Sequence, residues 1–435
     1  MTKVILMVMA LIGAVGAFPV QAQDLLVVYD LALQNDPKLR EAKQRRESVR
    51  ERKAQAKALL LPNLGLSGSA DLIDKDNKGR ADESYNQNKL SLSLQQPLYH
   101  RDYWIQLRQA DNAIAQAEAE YAAAELDLML RTANAYFDVL GAQDDLKFRV
   151  AEREATGRQL EQAQQRFEVG LIAITDVHEA QAAHDGARAN EIQAQTQLDN
   201  AWEALREIIG DSSEPLARLG ESITLTPPDP QDIDKWAEMA LKQNYAVVAA
   251  IESVEALKKD IQVKHSGHYP TLDLVGSHSI FRSSSGSATS ADSDTSSIGL
   301  QLNLPLYAGG SVTSQTREAR FDYLAAQEVL DQQRRAVNRQ VRDAYRGVVS
   351  SISRVKALKA STISAESALK STQAGFDVGT RTMVDVLNVQ RNLFQARANY
   401  ARSRYDYILN ALRLRQAASL LGRDDLVRIN AWLEE

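Results

Sequence analysis

RFEVGLIAITDV at residues 166–177 returns as GFDVGTRTMVDV at residues 375–386. An aromatic residue, an acid, Val and Gly recur in the same order, and a further acid follows the Gly after six residues. Gly170 and Gly379 fit helix ends, because glycine adopts the left-handed backbone conformation without steric cost. The later acid fits the first turn of the next helix, where a carboxylate can cap free N–H groups. Each copy therefore predicts a tip between two helices, and the pair predicts a duplicated architecture.

Residues 1–22 have the features of an export signal. One lysine precedes an apolar run from Val4 to Val20, and the segment ends in V-Q-A, a small-residue cleavage site. This pattern predicts a secretory signal peptide, so that the mature chain begins at Gln23. The remaining sequence has no apolar run near the ~20 residues that a membrane helix needs.

Composition excludes several classes of protein. The 435 residues carry a net charge of -6, with 25% charged and 6% aromatic residues and no cysteine. A mildly acidic chain without a basic tract is unsuited to nucleic acid, and a chain without cysteine has no disulfide or thiolate site. The close pair His265 and His268 lacks a third ligand at metal spacing. We predict no metal site, no cofactor, no nucleic-acid partner and no enzyme activity.

Two stretches of the sequence, from Arg101 to Val169 and from Gly310 to Val378, contain no proline. Large residues recur in them every seven positions with alanines between, which predicts long helices packed along a heptad seam. At ~1.5 Å per residue, each helix would be on the order of 100 Å long. The predicted helices cover residues 27–60, 101–169 and 176–209 in the first half, and 236–264, 310–378 and 385–421 in the second.

Each half also has two strand-like segments separated by a polar loop. In residues 89–95 and again in residues 298–304, Leu or Ile alternates with polar or small residues. Segments of about ten residues with this alternation are typical of outer-membrane barrel strands. A half-buried sheet of a soluble protein alternates in the same way, but four segments between very long helices behind an export signal favour the membrane. The predicted strands cover residues 61–73, 88–99, 269–281 and 297–307.

Aromatic residues mark the ends of these strands next to the helices. Tyr99, Tyr269 and Tyr307 fit an aromatic girdle at one membrane interface, and the polar loops 73–88 and 282–297 would lie at the opposite side. Four strands cannot close a barrel, and unpaired backbone groups are not tolerated in lipid. The chain is therefore predicted to oligomerise. About eight strands from a dimer would be filled by side chains, whereas about twelve from a trimer begin to leave a lumen.

The motifs NDPKLREA at residues 35–42, AYFDVL at 135–140 and LPLYAGG at 304–310, together with the two tips, resemble the TolC family of outer-membrane exit ducts. The resemblance covers nearly the whole mature chain. It implies a membrane α+β fold: a homotrimer whose twelve-stranded β-barrel in the cell outer membrane, four strands per protomer, continues into a long periplasmic α-helical barrel built from two internal repeats.

The same resemblance divides the chain into parts. The lipid-anchored branch of the family has an N-terminal cysteine, which this chain lacks. Three prolines between residues 227 and 230 mark a linker in the equatorial belt of the fold. The expected parts are the signal peptide 1–22, repeat 1 over 23–212, the linker 213–234, repeat 2 over 235–422 and a C-terminal equatorial segment 423–435.

The resemblance puts the tips at the end of the duct that is farthest from the outer membrane, where the family's ducts are closed. Asp385 matches an aspartate that lines the constriction, so a trimer would carry a ring of carboxylates that selects cations. Asn388 stands where a close member of the family has a second aspartate ring. This departure predicts weaker cation binding.

The resemblance also implies polar links that hold the gate closed. Arg381 matches the gate arginine, and Thr175 and Asp176 match its partners on the neighbouring helix pair. Phe376 stands where a close member of the family has a tyrosine whose hydroxyl binds the position of Asp176, so that link is absent. Taken without the family, Arg381 and Asp176 would be solvated turn charges worth ~0 to 1 kcal/mol.

The function implied is that of a passive exit duct for multidrug efflux, type I protein secretion or both. Its partners would be a periplasmic adaptor (membrane fusion protein), an inner-membrane RND, ABC or MFS transporter, and outer-membrane lipid. A periplasmic adaptor or structural coiled-coil rod would share the long helices and is the first alternative. A surface receptor or adhesin on a trimeric barrel ranks last, because its loops would be short, polar and poor in aromatic residues.

Overall fold

In the computed structural model of the chain, residues 22–76, 83–211, 214–284 and 292–434 are described. The predicted signal peptide up to residue 21 and parts of both predicted polar loops lie outside these ranges. The chain divides into two compact units. Unit 1 comprises Met1–Arg40, Ala124–Ala240 and Asn338–Glu435, and unit 2 comprises Glu41–Ala123 and Leu241–Val337.

Four long helices carry the tips. Helices α3 (Arg101–Glu168) and α4 (Ile174–Ile209) flank the first tip, and α7 (Ser311–Asp377) and α8 (Met383–Ala417) flank the second. The 68 residues of α3 and the 67 of α7 contain no proline, so no backbone N–H is lost from the helical ladder. Helices α4 and α8 each begin two residues before the predicted start, because their caps precede the aspartates.

Within the described ranges, no helix combines the length and the apolar character that crossing a membrane requires.

The prediction of a single helix over residues 27–60 is wrong, because this segment forms two helices. Helix α1 spans Leu25–Asn35 and α2 spans Pro37–Ala58, with Asp36 in an extended conformation between them. A residue before proline is disfavoured in the helical region, and proline suits the first helical position. The Asp36 carboxylate accepts the N–H of Leu39 at 2.6 Å and caps α2. The break therefore lies at Asp36 and Pro37.

The matching helix of the second half is broken in the same way. The predicted helix 236–264 is α5 (Ile233–Gln243) followed by α6 (Tyr245–His265), so the prediction of one helix is wrong here too. No proline causes this break. Asn244 lies in extended conformation, and its side-chain oxygen accepts the N–H of Ala246 at 2.9 Å, which starts a new helix.

Unit 2 contains a four-stranded antiparallel sheet. In the order in which they are hydrogen-bonded, its strands are β1 (Asn63–Lys75), β2 (Glu83–Tyr99), β4 (Thr271–Ser284) and β5 (Ser293–Asn303). The predicted last strand extended to residue 307, but β5 ends at Asn303. Proline cannot donate to a ladder, so Pro305 accounts for the early end. Tyr307 therefore lies beyond the strand.

The register puts most of the apolar residues of this sheet on one face. Leu66 pairs with Leu92 across β1 and β2, and Leu274 pairs with Leu300 across β4 and β5. Directly paired residues share a face, and alternate residues of each strand follow them. The apolar residues are at least 41% exposed at Leu64, Leu66, Leu72, Leu90, Leu92, Ile298, Leu300 and Leu302. The opposite face carries mainly serines and amides, an alternation typical of membrane strands.

The predicted linker and C-terminal segment of unit 1 pair with each other. Strand β3 (Arg218–Leu219) lies in the linker and pairs antiparallel with β6 (Leu433–Glu434), which follows helix α9 (Arg423–Asn430). The buried Tyr136 hydroxyl donates to the carbonyl oxygen of Ala217 at 2.7 Å, and burial raises the pKa of Tyr136. A short two-stranded sheet and one tyrosine thus fasten the linker to α3.

A buried ion pair lies beside the break between α1 and α2. Asp36 is 1% exposed, and its two carboxylate oxygens accept the Arg131 guanidinium at 2.9 and 3.1 Å. Burial acts against the charge of Asp36, but the hydrogen bonds from Arg131 and from the Leu39 N–H outweigh it and hold the pKa of Asp36 below its ordinary value. The pair joins the start of α2 to the middle of α3.

We expect Asp36→Ala to lower the free energy of unfolding by about 3 kcal/mol, because it leaves the Arg131 charge without its buried partner. Asp127→Ala is the matched control, since Asp127 binds the same guanidinium at 2.7 Å but is exposed, and its loss should cost about 0.5 kcal/mol or less.

Denaturant unfolding followed by helical circular dichroism measures both variants. The folded-state pKa of Asp36 is lowered, so its contribution is present above the ordinary carboxyl pKa and is lost as pH falls through the lowered value. Equal losses in the two variants would contradict the assignment.

Candidate functional site

The two tips have the same backbone geometry. Gly170 and Gly379 have φ angles of 77° and 79°, in the left-handed region. The N–H of Gly170 donates to Phe167 and that of Leu171 to Arg166, and the second tip repeats this pattern. Two such bonds around a left-handed glycine form a Schellman motif, which satisfies the last carbonyl groups of a helix. The tips therefore end α3 and α7 in the same way.

Helices α4 and α8, which follow the two tips, have similar but not identical N-terminal caps. Before α8, the Thr382 hydroxyl accepts the N–H of Asp385 at 3.2 Å and the Asp385 carboxylate accepts the N–H of Thr382 at 3.0 Å. These two bonds form a capping box, in which Asp385 is the acid that the sequence predicts in the first turn. Before α4, the Asp176 carboxylate accepts the N–H of Ala173 at 3.3 Å, but alanine has no hydroxyl to return a bond. The first tip therefore has half of the box.

An apolar cluster packs the two tips against each other. Ala163 of α3, Ala180 of α4 and Met383 of α8 are buried at its centre, and Phe376 of α7 packs against them. All these residues belong to unit 1. The cluster brings together segments that lie more than 200 residues apart in the sequence. Each protomer thus presents its two tips as one packed body.

A cation spans the two tips within this body. The Arg166 guanidinium lies over the ring of Phe376, with its carbon 4.9 Å from the ring centroid. An Nη of the same guanidinium lies 3.7 Å from the Asp377 carboxylate. Arg166 and Asp377 are 37% and 54% exposed. We call these three residues the tip clamp.

The predicted gate arginine is placed differently. Arg381 is exposed, and the base of its side chain lies beside Gly375 of α7, where an added Cβ would come within 2.8 Å of the Arg381 Cγ. Within the described part of the protomer, Arg381 forms no ion pair with Asp176. Thr175 is exposed as well. A link from Arg381 to Thr175 and Asp176 therefore remains a prediction.

The predicted aperture residues lie on the first two turns of α8. Hydrogen bonds from Thr382 lower the pKa of Asp385, and the charge of nearby Arg381 acts in the same direction. The carboxylate is thus kept ionised. Asn388 is exposed on the next turn, where its side-chain oxygen accepts the Arg391 guanidinium at 3.1 Å. The positive charge of Arg391 beside Asn388 further lowers the affinity of this turn for cations.

The three girdle tyrosines occupy different positions in unit 2. Tyr99 ends β2 and is 42% exposed, and Tyr269 lies just before β4 with the Arg101 guanidinium 4.1 Å from its ring centroid. Tyr307 is 89% exposed but follows the end of β5 by four residues. The structure therefore associates two of the three with strand ends.

Three residues of the tips were missed by the sequence analysis: Arg166, Gly375 and Asp377. A signal for them exists in the repeat itself. Arg166 aligns with Gly375, and Arg381 aligns with Ile172, so the arginine occupies different positions in the two copies. Its contacts depend on which segments pack together, which spacing within one copy does not reveal.

Within the described residues, no three His, Cys, Asp or Glu side chains are grouped as metal ligands would be. His265 and His268 lie at the junction of α6 and β4 with ring centroids 5.5 Å apart, in an edge-to-face arrangement. The pair packs as aromatic rings at a helix-to-strand junction.

Comparison with known proteins explains the duplicated geometry. The sequence matches the outer membrane efflux protein family twice, over residues 28–211 and 236–419. The chain belongs to this family. It is therefore an outer-membrane protein, and its family and fold are those of a transport channel.

Similar proteins align with this chain over nearly its full length. The outer membrane protein TolC of Vibrio cholerae is 39% identical over 99% of this chain and 98% of its own length. The alkaline protease secretion protein AprF of Pseudomonas aeruginosa is 29% identical over 94% of this chain and 87% of its own. The predictions of fold class, of the outer-membrane location and of an exit duct are confirmed by these likenesses.

Solved structures agree on the fold. The Campylobacter jejuni CmeC outer membrane channel superposes with a TM-score of 0.79 over 95% of this chain and 91% of its own, at 18% identity. At this identity the likeness establishes the fold alone.

Gly375→Ala tests the placement of Arg381. Alanine improves the helix propensity of α7 by ~1 kcal/mol, but its Cβ requires Arg381 to move. We expect single-channel conductance in planar bilayers to change although the protein is no less stable. Gly186→Ala is the matched control, because it lies in α4 with nothing within 4 Å of the added carbon. A wild-type conductance in Gly375→Ala would show that the position of Arg381 is irrelevant.

Proposed function

We propose that the chain forms a homotrimeric, passive exit duct whose three pairs of tips close its periplasmic end. The observation that carries this proposal is the packed pair of tips, which exposes Arg381 and leaves it unpaired with Asp176 within the protomer. A second copy supplies Asp176 and Thr175 to that guanidinium. Charge-assisted bonds of this kind are directional, so they define one closed arrangement.

The trimer is supported by the sheet of unit 2. Strands β1 and β5 each pair on one side only within the described sheet, and its apolar face is exposed. Backbone groups in lipid must be paired, so each edge requires a strand from another copy. Three copies supply about twelve strands, enough to leave a lumen. An exposed apolar band of this kind is not expected in a periplasmic rod or adaptor.

The exposed surface of the two tips indicates which proteins the duct binds. Apolar residues are exposed at both tips, with Val169 at 69%, Leu171 at 73% and Val378 at 75%. Such a patch suits a protein partner, and a periplasmic adaptor that links the duct to an inner-membrane RND, ABC or MFS transporter is the proposed one. Kinship with TolC and with a protease secretion protein supports both small-molecule efflux and type I secretion as cargo routes.

Three Asp385 carboxylates at the closed end form the proposed selectivity ring. Asp385→Asn should reduce the preference for cations, because it removes the ring charge but keeps an oxygen that can cap Thr382. The reversal potential in a salt gradient measures this. Selectivity should persist in the wild type to a pH below the ordinary carboxyl range, since the pKa of Asp385 is lowered.

Thr382→Ala is the control, because it removes the other half of the capping box and leaves the charge in place. Asn388→Asp should strengthen block by a trivalent cation, since it adds a second acid on the next turn. Unchanged reversal potentials in Asp385→Asn would rule out the ring.

Arg381→Ser tests the gate. Each lost link should destabilise the closed state by ~1 to 2 kcal/mol, and three links act together. Single-channel conductance should rise, most clearly at low salt where the ion pair is least screened. Light scattering in detergent should first establish a trimer, and a monomer would contradict the architecture. Wild-type conductance in Arg381→Ser at low salt would contradict the gate itself.

A further inference from the structure

We propose that each protomer has a binding site for the headgroup of an anionic phospholipid where the sheet of unit 2 meets the helices. The site, which we call the rim site, consists of Arg101 at the start of α3, Lys264 and His265 at the end of α6, and His268 and Tyr269 just before β4. All five residues belong to unit 2. The inference goes beyond the proposed duct: it takes the barrel as given and is independent of the gate.

The first observation is a positive charge at Arg101 that no acid neutralises. Its guanidinium lies over the Tyr269 ring, 4.1 Å from the centroid, and it makes no ion pair within the part of the chain that the structure describes. The adjacent Asp102 carboxylate is directed elsewhere, 3.9 Å from the His100 ring and 3.4 Å from the Gln106 amide. Arg101 begins α3, where the helix dipole disfavours a cation. Local helix chemistry therefore does not account for this arginine.

The end of α6 adds further basic groups to the rim site. Lys264 and His265 occupy the last turn of α6, and Lys264 makes no ion pair within the described residues. The ring of His265 lies 5.5 Å from that of His268 and 5.9 Å from that of Tyr269. Lys264, His265 and His268 are exposed. One tyrosine thus joins Arg101 to the basic end of α6.

The geometry of α3 indicates on which side of the sheet the rim site lies. Asp273 and Leu274 are consecutive in β4 and so point to opposite faces, with Leu274 on the apolar one. The Asp273 carboxylate lies 3.2 Å from Nε2 of His100, whose ring stacks on Tyr103 at 4.3 Å. Tyr103 therefore marks the polar side. Arg101 is two residues earlier, about 200° around the helix, and faces the apolar side.

The rim site is continuous with the apolar face of the sheet. Trp104 follows Arg101 by three residues on the same side of α3 and is 53% exposed, and Tyr99 at the end of β2 is 42% exposed. Exposed tryptophan and tyrosine occupy the headgroup level of a membrane, and basic clusters at that level bind anionic lipid headgroups. Unpaired cations beside an exposed apolar surface fit a phosphodiester that carries acyl chains.

The internal repeat limits the rim site to one per protomer. Residues 61–68 align with residues 269–276, and residues 95–99 align with residues 303–307. At the same offset, Arg101 corresponds to Gly309 and Tyr269 corresponds to Leu61. The counterparts have neither a positive charge nor an aromatic ring. We therefore expect one tightly bound anionic lipid per protomer.

Native mass spectrometry of detergent-purified trimers, incubated with equal concentrations of phosphatidylglycerol and phosphatidylethanolamine, tests the rim site. The wild type should retain phosphatidylglycerol preferentially. Arg101→Gln and Lys264→Gln should each lower the affinity for it about fivefold, the contribution of one basic residue at an anionic membrane surface. Arg101→Lys should keep most of the preference, because it keeps the charge. Light scattering should establish that each variant is still a trimer.

Arg334→Gln is the matched control. Arg334 is an exposed arginine of α7 in unit 2 without an ion pair among the described residues. It lies roughly 35 Å along α7 from the start of that helix, at about 1.5 Å per residue. Its loss changes the net charge as Arg101→Gln does but should leave lipid retention unchanged.

Soluble competitors distinguish a lipid site from a general anion site. Glycerophosphoglycerol has the headgroup of phosphatidylglycerol without acyl chains, and inorganic phosphate has the charge alone. Neither should displace the lipid at equal concentration, because neither contacts the apolar surface. Trp104→Ala should weaken the retention of both phospholipids alike, since it removes apolar contact and leaves the charge in place.

Three results would overturn the proposal. Equal retention of the two phospholipids by the wild type would show that the basic groups do not select an anionic headgroup. A loss in Arg334→Gln as large as that in Arg101→Gln would assign the preference to net charge. Displacement by an equal concentration of inorganic phosphate would make the site an anion site without a lipid. Each result can arise in trimers that conduct as expected, so it would leave the proposed duct standing, whereas a monomer would contradict the duct itself.

Discussion

The structure of unit 1 depends on two chain reversals that only a left-handed residue permits. At Gly170 and Gly379 the backbone turns within a few residues, so that α4 returns beside α3 and α8 beside α7. The Schellman bonds satisfy the carbonyl groups at these ends without outside partners, which allows the tips to be exposed. Without the reversals the buried alanines of the helices would have no facing surface.

The cap chemistry shows how one backbone supports two sets of side chains. Asp176 and Asp385 both cap the helix that follows, and this use of the carboxylate is compatible with a second role toward solvent or a neighbouring chain. Hydrogen bonds that cap a helix also stabilise the charged form, so the residue that starts α8 is kept ionised. Helix capping and the proposed ring charge therefore reinforce each other.

The two repeats have kept their architecture and changed their electrostatics. The family match falls on both halves, yet Arg166 has glycine as its counterpart and Arg381 has isoleucine. A duplicated fold makes the two tips geometrically equivalent, and substitution at equivalent positions then makes them complementary. The same logic applies to the half capping box of α4, where alanine replaces the hydroxyl of Thr382.

The amino-acid sequence alone predicts the local conformations that short-range chemistry controls. Glycines and acids at constant spacing determined the tips, and alternation determined the strands, because neighbouring residues decide these features. The same local rules also predict the break at Pro37. They do not predict the break at Asn244, because asparagine is also found inside helices.

Which charged side chains meet depends on how the helices pack in three dimensions. Arg166 contacts Phe376 and Asp377 because the apolar cluster packs the two tips together across more than 200 residues of sequence. The same packing puts the base of the Arg381 side chain beside Gly375, and Arg381 forms no ion pair with Asp176 within the described part of its own protomer. Long side chains reach partners that packing selects, and a linear pattern carries no record of that selection.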